Sequence, residues 1–373
     1  GTLEVENAWD FTGLEDCRFR WRTLRFPSPA EGRAGHEALA EGEVAGPPVA
    51  PGSTGTLTLP LPDGWSSADA LHLTAFDPED RELWTWSWPL DGLSGSEVSP
   101  GDAGGVPAVV SDVDGASALV AEVGELALRF SRRTGLLEGV RVGDREIALS
   151  GGPRLLAWLR DDRRFEDVSG ESALVDLTAS ATSDGALVVA TLEGALKEAR
   201  WTIRADGSVE LEFAYAFGGP VDVLGVGFDY PEAQVTSKRW RGRGPYRVYR
   251  NRLPGGVLDV WETAYNDPVP GQTYAYPEFK GHFADWRWLT LETTEGDLTI
   301  ENLSGVPFLG LYRPRMGEDG LLDLPDVGVA LLEVVPAQRT KFLPPDRLGP
   351  QSATPVVGAE TRGRVAFRFD TGE

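Results

Sequence analysis

Residues 238–252 read Lys-Arg-Trp-Arg-Gly-Arg-Gly-Pro-Tyr-Arg-Val-Tyr-Arg-Asn-Arg, seven cations and no acid. Guanidinium forks beside aromatic faces can bind an anion or a sugar. The same arginines can instead pair with acidic neighbours and hold the segment against a sheet. Arg241, Arg243, Tyr246, Arg247 and Tyr249 are the candidate binding residues of this loop. A second cluster, residues 274–288, sets aromatics beside Glu278, His282 and Asp285 and ends in Arg287 and Trp288. Flat apolar faces with a few oriented polar groups are what a carbohydrate subsite uses. A sheet core with a polar edge presents the same residues.

Catalytic groups are harder to find. Glycoside hydrolysis uses two carboxylates whose environments push their pKa values apart. Asp161-Asp162 and Glu166-Asp167 are adjacent acids in an arginine-rich stretch, the pattern of a solvated loop. His36, His72 and His282 are scattered along the chain, which argues against a zinc site or a two-histidine relay. Cys17 reads as a small buried apolar residue rather than a nucleophile. No phosphate loop, dinucleotide fingerprint or nucleophile elbow occurs. The expectation is no catalytic residue, no metal and no cofactor.

The elements that must position these clusters read as β. The chain has 373 residues, long enough for two domains, and carries 45 Gly and 27 Pro, favouring turns over helices. Residues 209–217 and 363–370 alternate as half-buried strands do. Residues 83–88 put Trp84, Trp86 and Trp88 on one strand face, an expected lid for a small core. Asp206-Gly207 predicts a hairpin with a type I′ turn, and residues 152–160 are the one short helix candidate. The small, polar stretch 92–117 reads as a linker. The expected domains are 1–98, a linker 99–117, and 118–373.

The net charge of -23 and pI near 4.6 argue against nucleic acid and anionic membranes as partners. A single cysteine excludes an internal disulfide. No apolar run approaches the ~18–20 residues of a membrane span. Cytoplasm and export both remain open as compartments. The chain begins at Gly1 rather than Met, the expectation being a piece of something longer.

Trp240-Arg241-Gly242-Arg243-Gly244-Pro245, followed by Tyr249, Asn251 and Arg252, resembles a signature in the last domain of glycoside hydrolase family 2 β-galactosidases. That signature reads Gly-Arg-Gly-Pro-His-Glu-Asn-Tyr-x-Asp-Arg. Pro277, Gly281, Asp285, Arg287 and Trp288 resemble the same family's Pro-Gln-Glu-x-Gly-Asn-x-x-Asp-x-Arg-Trp segment. Val5-Glu6-Asn7-Ala8-Trp9-Asp10-Phe11, with Leu14 and Phe19-Arg20-Trp21, looks like the start of the immunoglobulin-like domain that follows the barrel in those enzymes. Residues 51–61, 71–76 and 83–89 continue that likeness in order.

The resemblance implies an all-β chain: a small immunoglobulin-like β-sandwich, then a large galactose-mutarotase-like β-supersandwich. It implies a non-catalytic carboxy-terminal portion, packing on an upstream TIM barrel that holds the family's catalytic glutamates. Its partners would be that barrel, a carbohydrate and, through the parent enzyme, further copies. Departures are visible. The family's His-Glu-Asn becomes Tyr246-Arg247-Val248, its Gln-Glu becomes Glu278-Phe279, and its late tryptophan stretch has no counterpart. The added arginines make an acidic sugar, such as a uronide, an alternative to galactose. A free carbohydrate-binding module and a sugar epimerase working through His282 are the competing functions.

Overall fold

The computed structural model describes residues 1–90, 108–113, 115, 117–161, 164–264, 282–312, 327–338 and 347–370. The chain forms two units, Gly1–Glu97 with Val257–Val260, and Val98–Gly256 with Trp261–Glu373. Among the described residues the regular elements are β-strands and short 3-10 turns, so the all-β expectation of stacked sheets holds. No helix among them is long and apolar enough to cross a membrane.

In the first unit a four-stranded antiparallel sheet runs in the order Glu37–Ala45, Arg18–Arg25, Ala70–Phe76, Glu82–Pro89. Thr2–Glu6 pairs with Thr54–Thr58 in a second, two-stranded sheet. Arg18–Arg25 alternates arginine with Phe19, Trp21 and Thr23, and the two-residue period buries the latter three. Phe19 and Trp21 join Leu57, Leu71, Leu73 and Cys17 in the core. Cys17 is a buried free thiol, as its apolar reading requires. The indole lid is corrected: Trp84 and Trp86 are exposed, and Trp88 is half-buried. Glu82–Pro89 is an edge strand. Its buried position is Ser87, whose Oγ accepts from Leu258 N–H at 2.9 Å.

The second unit stacks two large antiparallel sheets. One runs His282–Ala284, Phe308–Tyr312, Val327–Val334, Val223–Asp229, Ser150–Asp161, Leu137–Val142, Leu126–Ser131, Ala118–Val123, Ala108–Val113. The other runs Ala173–Thr182, Gly185–Glu193, Leu196–Arg204, Val209–Ala216, Glu360–Asp370, Gly296–Asn302, Trp288–Thr293, Val235–Gly244, Val257–Ala264. The inner faces share one core centred on Trp201, whose ring meets Phe130, Phe228 and Phe367 at 5.6–6.2 Å.

The helix expected at 152–160 is the strand Ser150–Asp161. Leu155 and Ala157 point into the main core while Leu156 packs in a second cluster on the opposite face. A strand buried on both faces loses its alternation, and an unbroken apolar run mimics a helix. The 206–207 hairpin is present, joining Leu196–Arg204 to Val209–Ala216. Its turn is not type I′: Gly207 has φ 78 while Asp206 is not in the left-handed region. The loop has four residues, long enough to turn with one left-handed glycine.

Candidate functional site

The basic segment begins as a strand rather than a loop. Val235–Gly244 pairs with Trp288–Thr293, which sets Arg241 opposite Trp288 and Trp240 opposite Leu289. The end of the second motif, Trp288, is therefore a neighbour of the first motif in one sheet, while His282–Ala284 belongs to the other. Gly242 makes the approach possible: a Cβ there would sit 3.0 Å from the Trp286 Cα and 3.1 Å from the Ala284 carbonyl oxygen. The Arg287 N–H donates to the Arg241 carbonyl at 2.8 Å.

A cluster of rings and cations fills the space between the motifs. The fully buried Trp240 lies 4.4 Å from Phe283. Lys238, 1% exposed, holds its Nζ 5.6 Å and 5.7 Å from those two rings and donates to the Ala264 carbonyl. The Arg247 guanidinium lies 5.6 Å over the same Phe283 ring. Cations held over aromatic faces in a desolvated site are attracted by the ring quadrupole. His282 is fully buried, edge-on to Tyr249 at 5.8 Å, and its carbonyl accepts from Val248 N–H. Burial first, then the positive charge of Arg247, push the His282 imidazole down to about 3. With no exposed surface, the imidazole has no direct contact with the outside of the unit.

Three other cations of the segment, Arg239, Arg243 and Arg250, have assigned work. Arg239 donates to Glu262 and Glu292. Arg243 pairs with Asp285 and donates to the Gly256 carbonyl at 3.2 Å. Arg250 donates to the carbonyls of Val335, Gln351 and Ala353, and Asn251 bridges Gln338 and Ser352. Of the candidates, Arg241, Tyr249, His282 and Trp288 are buried, and Arg247 and Arg287 are half-buried. Tyr246 and Asp285 are exposed. Glu278 lies outside the described residues.

Asp285 has a stereochemical reason for its place. Its φ is 51, a left-handed conformation that Asp and Asn tolerate better than most residues. Its N–H donates to the Pro307 carbonyl at 3.1 Å while its carboxylate takes Arg243. Asp285→Ala is expected to destabilise the chain by about 1–2 kcal/mol, and Asp285→Asn by less. Urea titration of both variants checks the order. An alanine variant as stable as wild type would contradict it.

Sequence reasoning missed two arrangements. His36 and His72 are scattered in sequence but their rings lie 5.7 Å apart in the first unit. His36 Nδ1 is 2.8 Å from the Asp259 carboxylate, and His72 Nε2 donates to the Leu258 carbonyl at 2.9 Å. Their partners, Asp259 and Leu258, belong to Val257–Val260, which enters this unit from far along the chain. No local pattern carries that. The second missed arrangement is Asn302, 2% exposed, which holds the loop 303–307. It accepts from Gly305 and Val306 N–H and donates to the carbonyls of Trp286 and Val306. An Asn three residues before a Gly was the available signal.

A family model described as beta galactosidase small chain matches residues 122–312, just over half of the chain. One described as beta-galactosidase, domain 4, matches residues 3–85. No curated protein matches the sequence. Among solved structures, galactose 1-epimerase from Lactobacillus acidophilus NCFM is similar at 12% identity with a TM-score of 0.41. That match covers 71% of this chain and 98% of the epimerase. A putative mutarotase (YeaD) from Salmonella typhimurium is similar at 10% identity and TM-score 0.33, over 71% of this chain and 94% of its own.

Proposed function

The chain belongs to the β-galactosidase small-chain family, and on that premise we propose that it is a non-catalytic portion of a family 2 glycoside hydrolase that packs on a catalytic TIM barrel and helps to shape its sugar pocket. The observation that carries this reading is the order of the matches, domain 4 at 3–85 and then the small chain at 122–312. The arrangement of the motifs supports a framing role. Lys238, Trp240, Arg241 and His282 are buried, while Tyr246 and Asp285 stand at the surface. Buried members hold the segment's shape. The exposed members are the ones able to meet a second surface or a sugar.

The test is turnover of an aryl β-galactoside by this chain alone and after mixing with a barrel-bearing chain of the same family. No hydrolysis alone, and hydrolysis on mixing, is the expected result. Hydrolysis by the isolated chain would overturn the proposal. An aryl β-glucuronide run in parallel separates a galactoside pocket from an acidic-sugar pocket, the alternative that the extra arginines raise. The parent's further copies would show in the size of the mixed complex.

A further inference from the structure

A cavity of about 170 Å³ opens in the second unit, lined by none of the candidate residues of the two motifs. Phe213 and Tyr215 of the strand Val209–Ala216 form one wall, and Leu331 and Glu333 of Val327–Val334 another. Thr361, Arg362 and the loop 304–307 complete it. The volume is below the ~300–1,000 Å³ that drug-sized ligands occupy. It suits something of single-ring size.

The walls are fixed before any ligand arrives. Gly363 gives the Phe213 ring its room, since a Cβ there would meet the Phe213 Cζ at 2.1 Å. The Phe213 and Tyr215 rings are nearly parallel, 5° apart. Asn302 fastens the loop 304–307, whose Pro307 also accepts from Asp285. The 285–288 motif therefore backs this wall.

The carboxylate of Glu333, an exposed residue, is the acceptor group of the lining. One oxygen, Oε2, accepts from Tyr215 O–H at 3.0 Å and Thr361 O–H at 2.8 Å. A carboxylate has about four acceptor sites, so the group retains capacity beyond these two bonds. Ser304 Oγ accepts from Arg364 N–H, which leaves its own hydroxyl hydrogen to donate. Arg362 pairs with Glu360 at 2.6 Å and is largely exposed. Apolar surface from Phe213, Val306 and Leu331, next to one acceptor carboxylate and several hydroxyls, suits a ligand with both C–H faces and O–H donors. A cyclic polyol has both.

We propose that this cavity is a monosaccharide-binding subsite in which Glu333 accepts hydrogen bonds from sugar hydroxyls. It stands apart from the assembly proposed above, because it concerns direct binding by this chain without a barrel. Titration calorimetry with D-galactose and D-glucose, on the full chain, tests it. Binding of at least one sugar in the millimolar range is expected. Glu333→Gln keeps an oxygen for Tyr215 and Thr361 but turns the other acceptor into an NH₂ donor. It is expected to melt like wild type and bind the sugar about tenfold more weakly. Ser304→Trp, filling the mouth, is expected to abolish binding. No sugar binding by wild type, or equal affinity in the Glu333→Gln chain, would overturn the proposal. So would binding of cyclohexylammonium in place of the sugars, since that marks a cation site.

Discussion

Replacing Trp240 with alanine is expected to destabilise the second unit by about 3–5 kcal/mol, with thermal unfolding about 10 °C earlier. The indole is fully buried and lies against Phe283, 4.4 Å between centroids. Its loss removes the transfer free energy of a large apolar group and leaves a cavity that a rigid sheet cannot close. It also strips one aromatic face from the buried Lys238, whose charge is costly without partners. Trp240→Phe, which keeps a ring, should cost clearly less. Calorimetric melting of the three chains reads the effect directly. A loss under ~1 kcal/mol would mean that the motif is not a packed element, and that its aromatics serve some other end.

The second large effect is on pH. Burial pushes His282 down to about 3, and burial pushes His72 down to about 4, partly offset by its bond to the Leu258 carbonyl. An unfolded histidine titrates near 6.5, so the unfolded state binds more protons below that value. Stability from each neutral imidazole is complete above about pH 6.5 and falls as pH drops toward the folded value. From pH 6.5 to 5 each buried histidine should cost its unit about 2 kcal/mol. Most carboxylates titrate lower, so this window isolates the histidines. Urea midpoints at these two pH values measure the loss. His282→Gln should flatten the slope for the second unit and leave that for the first unchanged. Identical slopes in mutant and wild type would contradict the assignment to His282.

Strand character was legible wherever one face is buried and the other wet. Phe19, Trp21 and Thr23 alternate with arginines, and the sheet period follows from that spacing. Legibility failed where burial is two-sided. Residues 152–160 show no alternation because Leu155 and Leu156 face different cores, and the sequence contains no trace of the second surface. It failed again at Trp84 and Trp86, whose apolar side chains signal a core that an edge strand does not provide. The motif segments were visible as composition, but composition does not separate a sugar-binding arginine from a paired one. The pairing of Arg239 with Glu262 and Glu292, and of Arg243 with Asp285, is a fact of how the strands and the turn at 285 come together.

The sequence by itself determined the all-β class, the glycine-bearing motifs and the family they resemble, because local spacing and turn chemistry act over a few residues. Tertiary structure alone decided which charged and polar groups meet. His36 reaches Asp259 across 223 positions, and Tyr215 reaches Glu333 across 118. Such pairs form because sheet order brings distant strands within a few ångströms, and desolvation then fixes their chemistry. Neither effect leaves a mark on the neighbouring residues in the chain.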